Sequence, residues 1–131
     1  MTARSWNVAG TSAVLLFAAS LVSAHHSVLG QFDPEARIEL NGVISKVDFI
    51  NPHIYLLLDV EEESGDTSVW RLESVPPAYL YKAQVTPEML MGGGQPVRIE
   101  AVRARDETRQ LGFIIRIHYP EGHHYQLSED F

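Results

Sequence analysis

The chain has 131 residues, enough for one small domain, with ten Lys and Arg against 17 Asp and Glu and a formal charge of −7. That balance argues against a nucleic-acid partner, whose phosphates need clustered basic residues, and against attraction to an anionic membrane surface. There is no cysteine, which excludes disulfides, thiolate zinc sites, iron–sulfur clusters and a cysteine nucleophile, so any metal site must draw on histidine, carboxylate or the amino terminus of the chain.

Residues 1–24 read as a removable signal peptide. Arg4 is their only charge, an apolar run follows from Ala13 to Val22, and small residues stand at Val22 and Ala24, three places and one place before the expected cut. The run is about half of the ~20 apolar residues that a membrane crossing needs, so no transmembrane segment is expected in the mature chain. Export to the periplasm is the expected address. Cleavage removes one base and no acid, leaving nine Lys and Arg against 17 Asp and Glu in residues 25–131. That remainder reads as a single domain.

Residues 25–37 read as an N-terminal arm with a turn at Asp33-Pro34. A first strand is expected from Ile38 to Phe49. Its apolar positions are Ile38 and Leu40, then Val43, Val47 and Phe49, so the parity switches across Gly42, as at a bulge or bend. Asn51-Pro52 is a turn. A second strand carries Ile54, Leu56, Leu58 and Val60 on one face, with His53, Tyr55 and Leu57 on the other. The acidic run from Glu61 to Asp66 is a hairpin loop and lacks the ligand spacing of a calcium loop.

A third strand runs from Val69 to Ser74, with Trp70 in the core and Glu73 on the opposite parity. Pro76-Pro77 ends it, and the stretch from Pro77 to Ala83 is expected as one or two helical turns. Tyr79 and Tyr81 on that helix are expected to cover one end of the fold. A further turn is expected over Thr86 to Leu90 with Thr86 as N-cap, before Gly92-Gly93-Gly94 breaks the chain. A fourth strand runs from Gln95 to Arg103 and a polar turn from Asp106 to Arg109. Leu111, Phe113, Ile115 and Ile117 mark a fifth strand, and His124 to Leu127 a short sixth after the Pro120-Glu121-Gly122 turn. Three strands, a helical connection and two or three more strands predict an all-β fold with minor helix: a small OB-like antiparallel barrel of five to six strands, with the short helical connection between strands 3 and 4.

The histidines carry the chemistry. Cleavage after Ala24 gives His25 a free α-amine, which can close a chelate ring with its own imidazole. With unperturbed pKa values of about 7.7–8.0 and 6.5, both groups can surrender a proton to a metal near neutral pH. His26 adds a neighbouring imidazole, and nitrogen-rich sites suit Cu(II), which tops the divalent affinity order. His53 is the expected third ligand if the arm folds back, with Asp33, Glu73 or Asn51 as outer partners that orient an imidazole. His118, His123 and His124 form a secondary cluster around the C-terminal turn. No nucleophile elbow, His-Glu-x-x-His or carboxylate pair with a mechanistic spacing is present, and no catalytic residue is assigned.

His25-His26-Ser27, Phe32-Asp33, Asn51-Pro52-His53, Trp70 with Glu73, and Ala104-Arg105-Asp106 together resemble a family of small bacterial periplasmic proteins of unknown function. That family shares a His-His-Ser mature start and an Asn-Pro-His motif. The resemblance spans almost the whole mature chain and singles out His25, His26 and His53. It departs at His118, His123 and His124, where the family usually has a hairpin without histidines, and at Gly92-Gly93-Gly94, where a Pro-Gly-Asp-like turn is usual. The expected function is a periplasmic binding protein holding a copper ion through the mature N-terminal histidine. The alternative is a metal-free module that binds a peptide, envelope polymer or partner protein on a face bearing Tyr55, Tyr79 and Tyr81.

Overall fold

A computed structural model describes residues 28–129. The elements are β1 (Phe32–Ile50), β2 (His53–Glu61), β3 (Thr67–Glu73), α1 (Pro77–Lys82), α2 (Pro87–Met91), a 3-10 turn (Gly92–Gly94), β4 (Pro96–Ala104), β5 (Leu111–His118) and β6 (His124–Gln126). The sheet order is β3-β2-β1-β4-β5-β6, and a further pairing of β3 with β5 closes the first five strands into a ring. That closing pair is parallel; every other pair is antiparallel. The OB-like element order is therefore found, with helix between the third and fourth strands.

Period-two alternation builds the ring. Ile54, Leu56 and Leu58 of β2 and Leu72 of β3 are fully buried, while their odd-numbered neighbours face outward. Trp70 lies in the same interior, as expected, and the Arg103 guanidinium sits over its ring, 5.1 Å from the centroid. Leu80 of α1 and Leu90 of α2 complete this core. Thr86 caps α2 by accepting a hydrogen bond from the Met89 amide at 3.3 Å. Tyr79 and Tyr81 do not cover the end of the ring. They are 67% and 63% exposed, because the helix turns Leu80 inward instead.

β1 serves two neighbours in turn. Arg37 to Val43 pair with β4, and Val43 to Ile50 pair with β2. The bulge that lets the strand bend lies between Ile44 and Lys46, not at Gly42. Ile44 continues the inward stripe of Leu40, and the parity changes only after Ser45, whose hydroxyl donates to Asp59 at 2.9 Å. Gly42 is required for another reason. A Cβ there would run into the Asp59 carbonyl and sit 3.1 Å from Leu58, so glycine allows β1 to approach β2 closely.

The N-terminal arm also ends earlier than the sequence suggests. β1 begins at Phe32, and Asp33-Pro34 falls in an irregular stretch between the Phe32–Ala104 and Arg37–Val102 pairs rather than in a free turn. The cause is a second, smaller core outside the ring. Phe32, Val102, Ala104, Leu111, Phe113 and Ile115 cluster there, with Val28 packed against them. β5 is buried on both faces: Ile114 and Ile117 point into the ring, whereas Leu111, Phe113 and Ile115 belong to the outer cluster. A bulge accommodates the change of face: Glu100 and Ala101 of β4 pair with Arg116 and Ile114, leaving Ile115 of β5 unpaired between them.

Candidate functional site

The site grows from the turn before β2. A cis Asn51–Pro52 bond precedes His53, and strand alternation then puts His53 and Tyr55 on the outer face. β3 pairs Tyr55 with Glu73, so His53 is the next outward residue along the same face and lies diagonal to Glu73. The backbone fixes this corner, with the Ser74 amide donating to the Ile54 carbonyl at 2.9 Å and the Ile54 amide to the Val75 carbonyl at 3.1 Å.

His53 Nδ1 contacts Glu73 Oε1 directly. The two side chains are 18% and 13% exposed, which removes most competing water. A carboxylate can only accept, so Nδ1 carries the hydrogen, and in the neutral imidazole the Nε2 lone pair is left for a ligand. No other partner holds His53 among the described residues. This is the arrangement by which a carboxylate orients a metal-binding imidazole and raises its basicity.

Beside the pair lies a cavity of about 130 Å³, walled by Gln31, Phe32, Tyr55, Arg71, Glu73, Arg109 and Leu111. The N-terminal segment therefore forms one wall of the space that Glu73 enters. Arg105 fastens that segment: its amide donates to the Gln31 carbonyl at 2.9 Å, and its Nε to the Leu29 carbonyl at 3.1 Å. Its guanidinium also lies 3.9 Å from Asp33.

Asp33 is thus not an outer partner of His53. It pairs with Arg105, because the strand register carries Phe32-Asp33 to Ala104-Arg105-Asp106. Asn51 supplies the turn and is exposed, with no hydrogen bond to either member of the pair. His25 and His26, and the signal peptide that precedes them, lie outside the described residues.

The C-terminal histidines do not converge on one point. His118 lies 2.5 Å from Glu100 through Nε2. His123 stacks on Tyr119 with ring centroids 4.5 Å apart and planes at 4°. His124 is paired with His118 across the β5–β6 ladder, with ring centroids 5.8 Å apart. Tyr119 donates to the Leu90 carbonyl at 2.8 Å, and burial pushes its hydroxyl pKa well up, so it stays a donor. Among the described residues no three His, Asp or Glu side chains gather as a metal site. The turn therefore brings His118 and His124 side by side, while His123 stacks apart on Tyr119.

Glu100 is held below the usual carboxylate range chiefly by its hydrogen bond with His118. Arg116 and Arg98 add attraction, and burial opposes the shift. A carboxyl depressed by folding adds stability above its unfolded pKa of about 4.3 and loses it as the pH falls through the folded value. Glu100→Gln is therefore expected to cost a few tenths to about 1 kcal/mol at pH 6, the range of partly exposed ion pairs. The difference from wild type should fade near pH 3. Urea unfolding at the two pH values checks this, and a difference that grows on acidification would contradict it.

Arg71, Arg109 and Gln31 are absent from the sequence reading of the site. Arg71 shares the outward parity of Tyr55 and Glu73, a signal that was available. Arg109 carries none, because only the β3–β5 closure brings it alongside.

What these features define is a small closed ring of strands with a polar cavity lined by the carboxylate of Glu73, which also holds His53. The chain belongs to a family of unknown function (DUF6152), which it matches over residues 9–112. The match ends inside β5, before His118, His123 and His124. Comparison with curated proteins finds no match, and neither does comparison with solved structures. No helix among the described residues is long and apolar enough to cross a membrane.

Proposed function

We propose that the protein is exported to the periplasm and binds one copper-type ion there, through the α-amine and imidazole of His25 together with His53, with His26 as a further donor. The observation that carries this reading is the His53–Glu73 pair, which leaves one imidazole nitrogen ready to ligate. Two further facts support it. Gln31 and Glu73 line the same cavity, and His25 is three residues before the helical residues 28–31, a span of about 10 Å when extended. The described residues supply two carboxylate-paired imidazoles, those of His53 and His118, and no complete ligand set; on this reading the other donors to His53 come from the chain before Val28. A nitrogen-rich donor set of this kind fits Cu(II) best.

Mass spectrometry of protein recovered from the cell envelope, followed by Cu(II) titration, tests the reading. The expected results are a first residue of His25 and at least tenfold weaker binding in His25→Ala. Residues retained before His25, or a variant that binds micromolar copper as wild type does, would refute it.

A second reading has its own observation. Tyr79, Tyr81 and Ile50 are more than half exposed, and Tyr81 packs edge-on against Phe49 at 5.5 Å. An aromatic surface of this kind suits a metal-free module that binds a peptide, polymer or partner protein. Co-purification from envelope extracts in a strong chelator separates the two, since a partner of this surface stays bound when metal is removed.

A further inference from the structure

We propose that the cavity between β3 and the turn before β5 is a binding site for inorganic phosphate, recognised by Arg71 and Arg109 and selected by Glu73. Both guanidinium groups line the cavity. Neither forms an ion pair with a carboxylate among the described residues, in contrast to Arg98, Arg105 and Arg116. In a chain of net charge −7, two arginines against the one carboxylate of Glu73 leave the lining of this small cavity net positive.

The geometry of Arg71 suits an oxyanion. Its guanidinium lies over the Tyr55 ring, 4.4 Å from the centroid. That contact takes none of its N–H donors into a salt bridge, and a guanidinium offers oxygen a bidentate fork. Arg109 follows a turn tied by Asp106, which accepts from the Thr108 hydroxyl at 2.6 Å and the Thr108 amide at 3.2 Å. The Arg109 amide is itself bound to the Asp106 carbonyl at 3.2 Å, so the side chain starts from a fixed backbone.

Charge narrows the ligand. The cavity, about 130 Å³, has room for a tetrahedral oxyanion. Glu73 lines the same space. A carboxylate accepts hydrogen bonds and repels an anion that has no proton to offer. Hydrogen phosphate keeps an O–H at neutral pH; sulfate and the dianion of a phosphate monoester do not. Two arginines attract all three anions, and Glu73 prefers the one that can donate to it.

The site does not depend on copper, so the test uses metal-free wild-type protein. Inorganic phosphate, sulfate and glycerol phosphate are titrated at matched ionic strength while the arginine Nε–H signals and the Leu111 amide are followed by NMR. The expected result is saturable movement of the Arg71 and Arg109 signals with phosphate, with at least tenfold weaker response to sulfate and glycerol phosphate. Arg71→Gln and Arg109→Gln should each weaken phosphate binding at least tenfold, while Arg98→Gln, on another face, should not. Glu73→Gln should bring sulfate close to phosphate. The proposal is overturned if wild type responds to phosphate no more than to sodium chloride, if sulfate matches phosphate in wild type, or if neither arginine variant changes the curve. Loss of copper binding in His25→Ala with this titration intact would separate a failed metal reading from a failed anion site.

Discussion

Phe32→Ala is expected to lower stability by about 3–5 kcal/mol, the usual cost of emptying a large buried aromatic position. Phe32 is 2% exposed and tilts against Phe113 with centroids 5.6 Å apart. It is the residue that carries the start of β1 into the outer cluster of Val102, Leu111 and Ile115. Nothing from the ring interior can fill the space, because those three side chains already face it from β4 and β5. For a domain of this size the loss corresponds to a fall in Tm of more than about 10 °C. Part of the effect should be local, since removing the anchor frees residues 28–31 from the cavity wall before the ring itself opens. Thermal unfolding together with limited proteolysis reads both quantities. A variant that melts within 2 °C of wild type, with no new cleavage before Arg37, would show that Phe32 does not hold the segment.

Glu73→Gln is expected to weaken Cu(II) binding by about 10–100-fold, the range for loss of a carboxylate behind a ligating histidine. The amide has nearly the same shape, and its carbonyl still accepts from His53 Nδ1, so the fold should be kept. What is lost is the charge that makes the imidazole a better donor. Asp33→Asn is the matched control. Asp33 lies near Arg105 rather than His53, so copper affinity should stay within twofold. Isothermal titration of the two variants under one buffer decides the matter. Equal affinities in Glu73→Gln and wild type would remove His53 from the ligand set, whatever His25 does.

The strands were legible because the inward residues alternate cleanly: Ile54, Leu56 and Leu58 can face one way only, and Thr86-Pro87 announces its helix with a cap and a proline. β5 was less legible. Its apolar stretch from Phe113 to Ile115 does not alternate, and such a run cannot say that one half faces the ring and the other half an outer cluster. At Gly42 the sequence signal was real but its cause was misread, since closeness to β2 requires the glycine while Ser45 makes the bulge. Within the site, the partnership of His53 and Glu73 followed from parity once the β2–β3 hairpin was assumed. The position of Asp33 did not, because it depends on which residue of β4 faces Phe32, and no local pattern encodes that register. Arg109 joined Arg71 through a pairing between strands that are far apart in sequence.

That pairing is also the shortest seam of the ring. Three residue pairs alone, Arg71–Leu111, Leu72–Gly112 and Glu73–Phe113, join β3 to β5, while seven join β2 to β3. Contacts within the β1-β2-β3 meander are near in sequence and form early, whereas the seam must wait for the remote end of the chain. The cavity straddles it, with Arg71 and Glu73 on one lip and Arg109 and Leu111 on the other. A ligand gripping both lips would bind the zipped form and not the parted one, so occupancy and the breathing of the ring are coupled by mass action.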